Sequence, residues 1–350
     1  MSFRLCRRRT PAVAAVLCVL LSWSGTSPAS DWTGEVVTLE PRADQERVPV
    51  ITAVAIHPSG QFVALGGDDH LVRIWDLRER RIANVFDGHT DWVRTLSYSP
   101  RGDLLVSSGN DHHVVVWNTE TGEKRREYSK LSHVVTSVVF SHDGTLVAVV
   151  GFGDQLRIID GTTGDLLREY SCPGPDMRAV NFSPDDEIIV GGGRNGKVRL
   201  WNSADGSILS EFTAHSQRVR DVAISADGIL LATCGEDRKV VISHVVGEQA
   251  FELPRQSAKV MTLVFCGLNQ LATAGSDNTI HIWDLTTRQE IETLTGHTGT
   301  VAVLAYHNDI LVSSGFDASV RVWTRNPSAD GGALTAPGRV GLRREDLKSR

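Results

Sequence analysis

Cysteine is scarce in this chain of 350 residues: there are five, Cys6, Cys18, Cys172, Cys234 and Cys266. None stand in a C-x-x-C spacing, which argues against a zinc site and a disulfide framework. The expected state of the last three is a buried free thiol packing as a small hydrophobe. Aromatic residues make up only 6%, yet eight of them are Trp, so their placement carries information. No window of useful length shows a helical period, and the chain reads as all-β. A basic balance is also missing: the formal net charge is −6, which argues against a nucleic-acid partner.

The first thirty residues differ from the rest. "MSFRLCRRRT" carries Arg4, Arg7, Arg8 and Arg9 and no acid, "PAVAAVLCVLLSW" is apolar, and "SGTSPAS" is small and polar. That is the three-part pattern of a secretory signal peptide over residues 1–29, with cleavage after Ala29. The apolar run is shorter than the ~20 residues a bilayer span needs. Twin-arginine export and lipidation at Cys18 fit less well, because "TPAV" follows the arginines and Leu17 is large. Without this leader 32 basic and 42 acidic residues remain, net −10. The implied location is secreted or periplasmic, with no stable membrane insertion after cleavage.

What organises the remainder is repetition. Segments ending "RIWD", "VVWN", "RIID", "RLWN", "VISH", "HIWD" and "RVWT" align on Trp75, Trp117, Ile159, Trp201, Ser243, Trp283 and Trp323, at spacings of 42, 42, 42, 42, 40 and 40. Each copy alternates short β-branched runs with turn signals such as "SPRGD", "SHDGT" and "SADGI". A period of 40 to 45 residues with "GH" near one end and "WD" near the other marks four-stranded propeller blades. The chain resembles the WD40 repeat family over residues 31–325. The resemblance implies a seven-bladed β-propeller and says little about function. Blade seven ends at Trp323 with no outer strand after it, so Gly34 to Glu40 is expected to supply that strand and close the ring. The tail, 326–350, reads as disordered.

Within one repeat, "DGHTDWVRTLSYSPRGDLLVSSGNDHHVVVWN" holds His89, Ser107 and Asp111, the residue types of a hydrolytic triad. Repetition argues against catalysis. Blade seven has the same set as His297, Ser313 and Asp317, followed by Trp323. Blade five keeps His215, Thr233 and Asp237, with Ser243 in place of Trp. Blade six keeps Thr273, Asp277 and Trp283. Blade one has Asp69 and Trp75, and blade four Asn195 and Trp201. In the family this set resembles a structural tetrad, here His89, Ser107, Asp111 and Trp117, which satisfies polar atoms inside the blade. Blade three has His133 but Gly153 at the Asp position and Ile159 at the Trp position, and is expected to be held more by apolar packing than by polar links and to be less regular. "GGDDH" and "GNDHH" read as turns rather than metal sites. "GGGRNGK" lacks the Walker spacing and a following helix.

The residues left for function lie at one rim. By register these are Trp92, Arg94, Phe152, Arg178, Arg194, Arg218, Arg220, Lys259 and Phe316. They suit a protein partner that is acidic or carries an acidic patch. The competing reading pairs the arginines with Asp176, Asp221 and Glu236 as a solvated rim. The sequence therefore points to a monomeric, non-catalytic protein-binding scaffold with no catalytic residues, cofactor or metal. The rival classes are a secreted lactonase-like propeller hydrolase and a membrane-tethered adaptor.

Overall fold

The computed structural model describes residues 30–41, 46–128, 131–245 and 249–326. The leader expected at 1–29 and, but for Asn326, the tail expected at 326–350 lie outside them. Every regular element described is a β-strand. The strands form seven four-stranded antiparallel sheets. In blade one the order from inside to outside is Ile51–Ile56, Phe62–Gly67, Leu71–Asp76 and Arg81–Asp87. The inner strands of successive blades touch in chain order, and that of blade seven, Val301–His307, touches that of blade one. The result is a closed seven-bladed β-propeller.

Sequence pattern follows position in the blade. Third strands are rich in Val, Ile and Trp and are buried, as Leu71–Asp76 is along its whole length. Outer strands are mostly exposed, and Arg81–Asp87 alternates because one face meets solvent. The core lies between neighbouring sheets. Phe86 of blade one packs with Val93, Leu105 and Trp117 of blade two, and Ala148 and Leu156 of blade three pack with Met177, Phe182 and Trp201 of blade four. Each such side chain contributes about 1.5–3 kcal/mol when fully buried. Blade three, expected to be less regular, has four full strands, Val135–Phe140, Leu146–Gly151, Gln155–Asp160 and Leu166–Ser171. Leu156, Ile158 and Ile159 are almost fully buried, so packing against the flanking sheets keeps the strands in place without the tetrad residues.

The fourth strand of blade seven comes from the N-terminal side. Trp32–Val37 pairs antiparallel with Val320–Arg325, Gly34 lying opposite Trp323. The strand begins two residues before the expected Gly34 and ends at Val37, three residues short of the expected Glu40. Trp32 and Val37 are its buried ends, and Leu39 packs beyond it against Val63, Val312 and Val322.

Every inner strand carries a β-bulge at one equivalent place. The pairing of inner and second strand skips Thr52, Arg94, Thr136, Arg178, Arg220, Met261 and Ala302 in blades one to seven. A bulge leaves its residue unpaired and turns the side chain away from the ladder. In three blades that residue is an arginine.

Candidate functional site

The tetrads define which rim is which. In blade two the Trp117 indole N–H donates to Ser107 Oγ at 2.7 Å. His89 Nε2 lies 2.7 Å from Ser107 Oγ, and His89 Nδ1 lies 2.7 Å from Asp111. Blade seven repeats the chain through Trp323, Ser313, His297 and Asp317 at 2.9, 2.8 and 3.0 Å. In blade five His215 links Thr233 and Asp237, both at 2.9 Å. Ser243, at the Trp position, is fully buried and its hydroxyl has no hydrogen-bond partner among the described residues.

The electrostatics fit this wiring. Burial pushes the Asp111 carboxyl up, but His89 and the backbone N–H groups of His113 and Thr90 outweigh it and hold it below its ordinary value. Asp317 is likewise held down, to about 2, against the effect of burial, by Thr298, Ser319 and His297. Burial lowers His215 and His297 despite their aspartates, which favours the neutral ring. Ser107 and Ser313 are fully enclosed and locked between Trp and His, so no substrate carbon can approach either hydroxyl.

Blades lacking the histidine take a partner from elsewhere. In blade six Trp283 donates to Thr273 at 2.9 Å, while Asp277 meets His281 of the third strand at 3.1 Å. That bond, with Glu290 adding to it against burial, lifts His281 to about 9. In blade one Arg73, at the same strand position, pairs with Asp69. In blade four Trp201 donates to the Ser171 carbonyl, and Asn195 to that of Pro173. The turns "GGDDH" and "GNDHH" put His70 and His112 at φ 72° and 66°, where "GGGRNGK" has Gly196 at 75°. All three are one left-handed turn position. Among the described residues no group of three or more His, Cys, Asp and Glu side chains is arranged to hold a metal ion. Cys234 is buried, and burial pushes the thiols of Cys172 and Cys266 up to about 12.

The tetrad aspartates sit in the turns between second and third strands, and the bulged ends of the inner strands share that rim. Here blades two, four, five and six bring charge together. Arg178 Nε lies 2.7 Å from Asp176. Arg218 spans Asp176 at 2.9 Å and Glu236 at 3.1 Å, joining blades four and five. Arg220 approaches Glu236 at 3.7 Å and Lys259 approaches it at 3.4 Å. Arg94 donates through Nε to Asn110 at 2.8 Å. Two apolar rings flank the group: Arg94 lies 5.3 Å from the Trp92 ring centroid, and Arg178 4.6 Å from that of Phe152. Burial lowers the pKa of Arg94, Arg178 and Arg220, and neighbouring guanidiniums lower each further. Asp176 and Glu236 hold Arg218 above its ordinary value against the effect of burial.

Two of the nine expected rim residues stand outside this group. Arg194 and Phe316 are exposed, and no ion pair or ring contact ties them to it among the described residues. Asp221 also departs from expectation. Among the described residues it forms no ion pair with an arginine; its carboxylate accepts from Thr262 Oγ1 and Leu263 N of blade six, both at 3.0 Å. Burial pushes it up to about 6. Thr262 in turn accepts from Leu304 N of blade seven at 3.2 Å, so polar side chains stitch the channel wall from blade to blade. One signal was open in the sequence: Arg94, Arg178 and Arg220 all directly follow the first buried apolar residue of an inner strand, Val93, Met177 and Val219.

Seven four-stranded blades closed by an outer strand from the N-terminal side, with complete Trp–Ser–His–Asp chains in blades two and seven and partial ones elsewhere, define a WD-type propeller. The chain belongs to the WD40 family (WD domain, G-beta repeat), which matches residues 44–76, 80–118, 164–202, 206–242, 247–284 and 288–324. The unmatched repeat is blade three, which lacks both the tetrad Asp and the Trp. Similar proteins include "Mitochondrial division protein 1" of Mycosarcoma maydis, 35% identical over 72 residues, which are 20% of this chain and 9% of that protein. The "General transcriptional corepressor TUP1" of Saccharomyces cerevisiae is 40% identical over 48 residues, 14% of this chain and 7% of that one. The "Probable coatomer subunit beta'" of Schizosaccharomyces pombe is 38% identical over 55 residues, 15% and 7% respectively. The matches thus span about a tenth or less of those relatives' lengths. Such different names on shared blades are what a fold that hosts many functions produces.

Proposed function

We propose that this propeller is a non-catalytic scaffold that docks a protein partner at the channel mouth, and that it works outside the cytoplasm once its leader is removed. WD40 propellers generally bind protein partners, and the relatives named above carry regulatory and coat-subunit names. The observation that carries the reading is the sector around Asp176 and Glu236. Four cations, Arg178, Arg218, Arg220 and Lys259, share two carboxylates there, on a chain whose net charge is −6. Local charge opposite to the global one selects an acidic surface and steers its approach. Trp92 and Phe152 add apolar area beside the guanidiniums, the pairing of residue types that most often carries binding energy.

The enclosed tetrad hydroxyls support the non-catalytic half of the reading, and the basic, apolar and small-residue segments of 1–29 support export. Crosslinking capture from the native compartment tests the docking sector. The combined Trp92→Ala, Arg178→Gln, Arg220→Gln variant is expected to lose the captured partner while melting near the parent temperature. Equal capture by the folded variant rejects the sector. N-terminal sequencing of the mature chain tests export: a first residue at or near Ser30 supports it, and an intact Met1 overturns it.

A further inference from the structure

We infer that the channel mouth contains a discrete oxyanion site, in which the bulge residues Arg94, Arg178 and Arg220 hold a carboxylate or phosphate group. The three guanidiniums occupy one equivalent position in blades two, four and five, and the bulge turns each out of its ladder. They lie close enough to depress one another, Arg94 by Arg178 and Arg178 by Arg220. Their surroundings leave charge over. The cations of the sector are Arg94, Arg178, Arg218, Arg220 and Lys259. The carboxylates facing them are Asp91, Asp176 and Glu236, with Asp221 behind Arg220 turned towards Thr262 and Leu263.

Donors are left over as well as charge. Arg220 makes no hydrogen bond among the described residues: its contact with Glu236 is 3.7 Å long, and its Nε–H is buried without an acceptor. Arg94 uses only Nε, on a neutral amide, so its Nη groups remain. Arg178 Nε lies 2.7 Å from Asp176 but makes no hydrogen bond among the described residues. Guanidinium forks match the geometry of carboxylate and phosphate oxygens, and such charge-assisted bonds are roughly twice as strong as neutral ones. Half-burial weakens screening by salt and strengthens the attraction. The Trp92 and Phe152 rings wall the site on the Arg94 and Arg178 sides. This inference concerns the purified chain and stands or falls separately from the docking of a protein partner.

Titration calorimetry of the full chain tests it, with inorganic phosphate in one series and succinate in another. Sodium chloride at matched ionic strength is the blank. Saturable binding above the blank is expected from at least one of the two. Phosphate alone points to a tetrahedral oxyanion, and succinate alone to a carboxylate. Arg178→Gln and Arg220→Gln should each weaken binding by about tenfold or more. Arg220→Lys, which keeps charge but loses the fork, should fall between. Lys197→Gln, on a third strand paired with Glu211, should leave binding unchanged. Should Arg220→Gln fail to fold, Arg94→Gln takes its place with the same expectation. Heats that never exceed the blank, or binding undiminished in the folded glutamine variants, overturn the inference.

Discussion

Arg73 and Asp69 form an ion pair inside blade one, four residues apart, with both side chains almost completely enclosed. The pair fills the role that His–Asp fills in blades two, five and seven. It also shows how a blade without the histidine still neutralises its turn aspartate. Removing the guanidinium leaves a buried charge without its counterion. Arg73→Met is therefore expected to cost about 3–5 kcal/mol, read as a drop in the denaturant midpoint. Adding Asp69→Asn to Arg73→Met should recover a large part of that loss. A single variant as stable as the parent would show that Asp69 does not depend on Arg73.

Ser243 makes the opposite case. Its hydroxyl is buried at the position where other blades have Trp, and it has no hydrogen-bond partner among the described residues. A buried polar group left unmade costs about 1–3 kcal/mol. Ser243→Ala deletes the oxygen and almost nothing else, so it should raise stability, by about 1 kcal/mol. Thermal melts of the two proteins check this, and a lower melting temperature for the variant contradicts it. The neighbouring Thr233–His215–Asp237 chain is untouched by the change.

Much of this is legible in the sequence, because repetition multiplies weak signals. One Trp says little, but five aligned with an Ile and a Ser fix the seven blades. The tetrad of blade two became readable as structure once blade seven repeated it. Tertiary partners were harder to read. Arg73 and His281 occupy a position that holds Val in blade two, so nothing local marks them as replacements for a missing histidine. Asp221 lies beside Arg220 in sequence, yet its carboxylate is turned to blade six. The bulges that single out Arg94, Arg178 and Arg220 are a property of strand pairing, visible only as a shared offset. Blade three was expected to rely on apolar packing in place of polar links and to be less regular; the packing is there on both sides, and it keeps four full strands in place.

Two aspartates should give stability opposite responses to pH. Asp317 is held at about 2, below its unfolded value of 3.8. Its contribution is fully present above pH 4 and is lost as pH falls through 2, an amount of about 2 kcal/mol. Asp317→Asn should therefore be destabilised at pH 7, with the gap to the parent closing as pH drops towards 2. Asp221 is raised to about 6, so the folded state favours its protonated form. Its contribution is greatest below pH 4 and declines as pH rises to 6. Asp221→Asn keeps an acceptor for Thr262 and Leu263, and should gain on the parent across that window. Denaturant titrations at several pH values measure both, and parallel profiles for parent and variants would contradict the assignments.

Ring closure rests on a contact that only glycine permits. Gly34 lies opposite Trp323, and a Cβ placed on it would come within 2.6 Å of the indole ring. That ring is itself pinned, donating to Ser313. It cannot move aside without breaking the blade-seven tetrad, so the closing strand must give way instead. Gly34→Val should thus cost about 1–3 kcal/mol, the usual scale of overpacking. Deleting 31–41 should cost more, since it also removes buried Trp32, Val37 and Leu39 and leaves the edge of Val320–Arg325 unpaired. Both variants should melt below the parent, the deletion lower, and hydrogen exchange should quicken first in Val320–Arg325. Unchanged melting of the deletion variant would mean that the ring is held shut by its inner strands alone.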